Sequence, residues 1–250
     1  MIEHHLDLIS DGSPMATFIV HPDVGPGEGG PHPVLLFYMD APGKREELHG
    51  FARRLASAGY CVLLPNLYHR QRYAYELKER TEPQLQEMFG LMHSLNRDTN
   101  RADTQALLDW VDANPQVADA QRIGILGYCM SGPFVVWAAL DFADRIQALA
   151  AIHGANWVTD SPDSPHRVAA GLRCEGYYGC AEIDQWASPE QIAQLEAGLK
   201  ASGAPYRIEW YAGAQHGFSF PQRAVYERAA SERHFERMHR LFGRVLKPFA

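Results

Sequence analysis

Short apolar runs recur along this chain at intervals that leave room for about one helix each, and that alternation restricts the fold more than any other feature. The runs are Pro33–Met39, Tyr60–Leu64, Arg122–Leu126, Gln147–Ile152, Arg173–Tyr178 and Tyr206–Tyr211. Most are continuously apolar, as strands covered on both faces must be; a strand with one wet face would alternate. The pattern predicts an α/β fold, a mostly parallel sheet of about eight strands with helices on both faces. His4–Ile9 and Ala16–His21 supply the other two strands, joined by the turn formers Asp11-Gly12-Ser13-Pro14 in an antiparallel hairpin at one edge. A chain of 250 residues with 46% apolar content can bury one large core, so a single domain over residues 1–250 is expected.

The remaining segments fill in around the strands. Pro22–Pro33 is a Gly/Pro-rich loop. Pro189–Ser202 is the clearest helix: Ser188 caps it, Pro189 takes the first helical position, Gln191 completes a capping box and Gly203 ends it. Ile192, Leu195 and Leu199 then form its buried stripe. Tyr68–Asn100 is charged and interrupted by Pro83 and Gly90, which suits surface helices placed to cover a site. Gln222–Leu246 spaces Val225, Phe235, Met238, Leu241, Phe242 and Val245 among charges, as a long terminal helix docked on a sheet would.

Charge and composition remove whole classes of partner. Twenty-three basic against 30 acidic residues give a net charge of −7, which lacks the basic excess that nucleic acid or an anionic membrane requires. Met1–Ser10 has no secretory pattern, and the longest apolar stretches, Pro133–Leu140 and Ile146–Ile152, fall far short of the ~20 residues of a membrane span. Cys61, Cys129, Cys174 and Cys180 lack zinc-site spacing, and the histidines form no helical metal-binding pair. A soluble cytoplasmic protein without metal is expected, as a monomer or a small homo-oligomer.

The chemistry concentrates in Arg122-Ile-Gly-Ile-Leu-Gly-Tyr-Cys129-Met-Ser-Gly-Pro-Phe-Val-Val-Trp-Ala-Ala139, which reads as strand, tight turn, helix. A turn that presents its central side chain this way strains the backbone there and leaves room only for small residues two before and two after, here Gly127 and Ser131. Cys129 is then a nucleophile at a helix amino end, where unpaired N–H groups favour the thiolate. A buried structural cysteine beside an ordinary turn is the alternative. Ser131 fails as nucleophile because its own flanks would be Cys129 and Pro133.

A thiol that opens esters needs a base within reach and an acid to orient the base. After Arg173–Tyr178 comes Asp184, and after Tyr206–Tyr211 comes His216, so both follow strands whose carboxyl ends in a parallel sheet share one edge. The order nucleophile, acid, histidine is that of α/β hydrolases. Glu182 competes with Asp184 for the acid role. His153 also follows a strand and is the second choice of base, otherwise lining the pocket or satisfying local backbone.

Gly127-Tyr-Cys-Met-Ser-Gly132, Pro65-Asn-Leu-Tyr-His-Arg70, Tyr178-Gly179 through Asp184 and Tyr211-Ala-Gly-Ala-Gln-His-Gly-Phe218 together resemble the dienelactone hydrolases, over nearly the whole chain. The resemblance implies a cofactor-free hydrolase of small-molecule lactones or esters with Cys129, Asp184 and His216 as its triad. It implies that Asp40, where the family has glutamate, meets the resting thiol; a turn former before Pro42 is the other reading. It makes Arg70 a substrate-carboxylate donor, but places Phe220 where a second arginine should stand, with Arg223 at a different offset. By analogy with other elbows, the backbone N–H groups of Met130 and Ala41 form the oxyanion hole. A thiol esterase or deacylase for other acyl groups, and a non-catalytic redox-sensing module built on Cys129, are the competing functions.

Overall fold

The structure, a computed structural model, describes residues 1–23 and 30–248, so half of the expected Pro22–Pro33 loop, residues 24–29, lies outside the described residues. Two compact units divide it, Met1–Ile123 and Gly124–Lys247. The first opens with β1 (Ile2–Ser10) and β2 (Ser13–His21), paired antiparallel from Ile2 with His21 to Ser10 with Ser13. Asp11 and Gly12 both take positive φ, 49° and 72°, the conformation a two-residue hairpin turn demands of its centre. Next come β3 (His32–Tyr38), α1 (Glu46–Ala56) and β4 (Cys61–Pro65), with the strands ordered β1-β2-β4-β3. β4 runs antiparallel to β2 and parallel to β3. Every residue of β3 and β4 is buried, which accounts for the apolar runs from Pro33 to Tyr38 and from Cys61 to Pro65.

The Tyr68–Asn100 segment differs in part from its expectation. Residues 66–81 hold neither helix nor strand. Asn66 pins them instead, donating its side-chain amide to the carbonyls of Arg72 and Tyr73. α2 (Glu82–His93) follows, then α3 (Arg97–Ala113). Pro83 does not break α2 but sits in its first turn, where no intrahelical N–H is needed, and Gly90 lies within the helix. Asn96 and Thr99 cap α3 reciprocally.

The second unit takes in the carboxyl half of β5 (Ala118–Tyr128) and continues with α4 (Gly132–Asp141), β6 (Ile146–Ile152), the short α5 (Pro165–Val168), β7 (Glu175–Ile183), α6 (Pro189–Ser202), β8 (Tyr206–Gln215) and α7 (Arg228–Leu246). Strand order is β5-β6-β7-β8, with β6, β7 and β8 parallel. α6 has the expected capping box, buried stripe and left-handed Gly203. α7 starts later than Gln222 because Glu227 caps it, its carboxylate accepting from the N–H groups of Ala229 and Ala230. Its buried face packs Phe242 and Leu246 on β5, where a Cβ on Gly124 would come within 2.9 Å of the Phe242 ring.

β7 and β8 are both longer than their apolar runs. Pairing continues past a bulge at Ala181 to Ile183, and Ile183 pairs with Gln215. Backbone hydrogen bonds do not need apolar side chains, so a strand can outlast its hydrophobic run when a neighbour continues beside it. The next residues along these adjacent strands are Asp184 and His216.

Candidate active site

Cys129 stands at the end of β5 with φ 55°, a left-handed conformation that a non-glycine residue takes at a cost. The following turn, Cys129–Ser131, is 3-10 and leads into α4. Close packing explains the small flanks: a Cβ on Gly127 would lie 2.8 Å from the Ser131 Cβ and 2.9 Å from Val135. On the far side a Cβ on Gly132 would lie 2.9 Å from the Trp157 ring. The Cys129 carbonyl accepts from the Ala155 N–H at 2.9 Å, tying the elbow to the loop after β6.

The parallel pairing of β7 and β8 brings an acid and a histidine side by side. The His216 N–H donates to the Ile183 carbonyl at 3.1 Å, continuing the ladder by one step. His216 Nδ1 lies 2.8 Å from Asp184 Oδ2, and its Nε2 lies 3.1 Å from Cys129 Sγ. The Trp186 N–H donates to Asp184 Oδ1 at 2.8 Å, so both carboxylate oxygens are occupied and the acid is held against rotation. Glu182 takes no part: it accepts from the Gly213 N–H.

Burial opposes a charge on His216, but attraction to the facing Cys129 sulfur and the hydrogen bond to Asp184 outweigh it and push its pKa up to about 10. The other three thiols are sealed in the interior, and burial pushes each up to about 12. Because His216 titrates above its ordinary 6.5 in the folded protein, its protonation stabilises the fold fully below pH 6.5, and this contribution is lost as pH rises through about 10. Cys129→Ala removes the facing sulfur and should lower the His216 midpoint toward the ordinary value, as followed by NMR titration of the ring nitrogens. An unmoved midpoint would show that the sulfur does not hold the proton there.

The other residues singled out in the sequence fall in varied places. Met130 is 2% exposed in the elbow turn, and Ala41 is 5% exposed, its carbonyl accepting from the Tyr68 hydroxyl. Asp40 is fully buried and paired with Arg45, which also holds Glu47. Arg70 is engaged within the protein: Asp11, Asp103 and the Ser10 hydroxyl surround its guanidinium. His153 and Phe220 were expected to meet substrate, yet they are 1% and 0% exposed. Their rings pack on each other 5.4 Å apart and both press on Tyr128. Arg223 lays its guanidinium over Phe220, 4.6 Å from the ring centre, and an added Cβ on Gly217 would meet it. Ser219, which bonds His153 Nε2 at 2.8 Å, had no signal in the sequence. Among the described residues no group of three or more His, Cys, Asp or Glu is arranged to hold a metal, and no helix is long and apolar enough to cross a membrane.

Residues 15–246 match the dienelactone hydrolase family. The chain belongs to the dienelactone hydrolase family. It is accordingly a carboxylic ester hydrolase with the α/β-hydrolase fold. A provisionally named carboxymethylenebutenolidase of Escherichia coli O157:H7 is 26% identical over 234 residues, 92% of this chain and 82% of that protein. Another, from Methylorubrum extorquens strain AM1, is 29% identical over 224 residues, 87% of this chain and 74% of that protein. A crystal structure from Klebsiella pneumoniae, provisionally titled a dienelactone hydrolase, superposes with a TM-score of 0.84 at 24% identity, covering 97% of this chain and 98% of that one.

Proposed function

We propose that this family member opens a small lactone or ester, of the kind that the carboxymethylenebutenolidase names of its relatives denote, through a thioester on Cys129. The observation that carries the reading is the unbroken line of hydrogen-bond contacts from Asp184 through His216 to the Cys129 sulfur. In the first half-reaction the sulfur attacks the carbonyl carbon, a C–S bond forms and the acyl C–O bond breaks. The departing oxygen takes the proton that His216 carries. In the second, His216 accepts a proton from water as its oxygen attacks the thioester, and the C–S bond breaks to return the thiolate. Asp184 keeps Nδ1 as the donor and favours the imidazolium, while the Met130 backbone N–H supports the oxyanion.

Rapid mixing with an aryl acetate should give a burst of phenol and a protein one acetyl group heavier, with the added group on Cys129. Acylation elsewhere, or turnover with no burst and no adduct, would defeat the proposal. A second acyl class is favoured by one observation. Arg70 is already neutralised by Asp11 and Asp103, which suits esters that bring no carboxylate of their own. Comparing neutral esters with matched esters that carry a carboxylate beside the carbonyl separates the two classes.

A further inference from the structure

His153 sits in surroundings that would accept phenylalanine. Tyr128, Phe218 and Phe220 each place a ring centre within 5.7 Å of its own, and the residue is 1% exposed. A histidine here must give up its water, and Nδ1 makes no hydrogen bond. What histidine alone gains is the bond from Nε2 to the Ser219 hydroxyl, 2.8 Å. A bare lone pair is cheaper to bury than an unmatched N–H, so the proton belongs on Nε2, which donates to Ser219.

That bond ends on the loop that carries His216. Phe218 N–H donates to the Gln215 carbonyl and Phe220 N–H to the Gly217 carbonyl, folding residues 215–220 into consecutive turns. The Ser231 hydroxyl holds the Ser219 carbonyl from α7 at 3.1 Å. His153 also stands edge-to-face on His216 itself, 4.9 Å between ring centres and 61° between planes. It reaches there from a strained backbone, φ 37°, fixed by its own N–H bond to the Gly179 carbonyl at 2.7 Å.

We propose that His153 is a positioning residue for His216: it fastens the loop through Ser219 and presses the His216 ring toward the Cys129 sulfur. This rests on the reading of His216 as the proton carrier. Burial, with repulsion from His216 next, keeps His153 well below the usual histidine range, so it can lie against an imidazolium without a second charge.

The test compares Ser219→Ala, His153→Phe, the double variant and His153→Gln, whose amide nitrogen can reach the Nε2 position. Ser219→Ala and His153→Phe should each lower kcat for an aryl ester about tenfold with KM unchanged, because a small displacement of a reacting group is felt mainly in the chemical step. The double variant should be no slower than either single one, since both remove the same bond. His153→Gln should recover part of the loss, and the thermal midpoints should not follow the order of the kcat values. In parallel, alkylation of Cys129 by iodoacetamide near neutral pH should slow about tenfold, because a loosened His216 favours the thiolate less. Alkylation needs no ester turnover, so a slower rate in a protein that hydrolyses no ester would uphold the positioning role while the hydrolytic reading failed. Ser219→Ala with wild-type kcat and alkylation rate would overturn the proposal. So would additive losses in the double variant, or losses in step with thermal stability. Ser219→Ala deletes one hydroxyl and keeps the test decisive if His153→Phe does not fold.

Discussion

Cys129→Ala should lower kcat/KM for any ester this protein turns over by about 10⁴-fold or more, with a wild-type far-UV spectrum and a thermal midpoint close to that of the native chain. Cys129 is half-buried in the elbow and contributes one sulfur, so its loss opens little cavity. His216→Ala should cost a similar factor, and the double variant little more than either alone. In the proposed mechanism the two groups, 3.1 Å apart, act as one device, so removing either half removes its function. Steady-state kinetics on all three proteins checks this. More than about one per cent of wild-type activity in either single variant would place the nucleophile or the base elsewhere.

The largest stability effect is expected far along the sequence from that elbow. Arg45→Met should destabilise the fold by about 3–5 kcal/mol, because it removes a guanidinium that two interior carboxylates bond. Arg45 is 7% exposed, Asp40 0% and Glu47 9%, and the guanidinium bonds both acids. Water is a poor substitute at such depth, and the carboxylates stay behind. Arg45→Lys should recover little, since one ammonium cannot reproduce a fork that spans two carboxylates. Urea unfolding with a shared m-value gives the difference. A loss below about 1 kcal/mol would mean that the site hydrates or protonates without penalty.

Arg45 also marks what a sequence reading passes over. Nothing in Arg45-Glu46-Glu47 distinguishes a buried ion pair from the charged start of an ordinary surface helix, and nothing near Asp40 announces Arg45 as its partner. The family resemblance makes Arg70 a donor to a substrate carboxylate, but it has partners within the protein from the β1–β2 turn and from α3, at Asp11 and Asp103. Such pairings depend on long-range packing, to which local pattern is blind. His153, because it follows a strand, and Phe220, because it holds the position of a family arginine, are both expected to line a pocket. Their side chains instead turn into the aromatic layer beneath His216, and the direction a side chain takes from a loop is set by tertiary contacts.

Periodicity in the sequence determined the alternating strands and helices, the hairpin at Asp11-Gly12 and the capped helix after Ser188, because backbone geometry and burial of apolar faces act over a few residues at a time. The small flanks of Cys129 likewise announced the elbow, since only such residues fit against the following helix. Tertiary structure alone decided how far β7 and β8 run, and so that Asp184 and His216 emerge side by side from paired strands. It also decided which charges are already spent within the protein and which ring packs against His216. Those outcomes follow from contacts between residues far apart in sequence, whose strength is set by the distances and burial that folding creates.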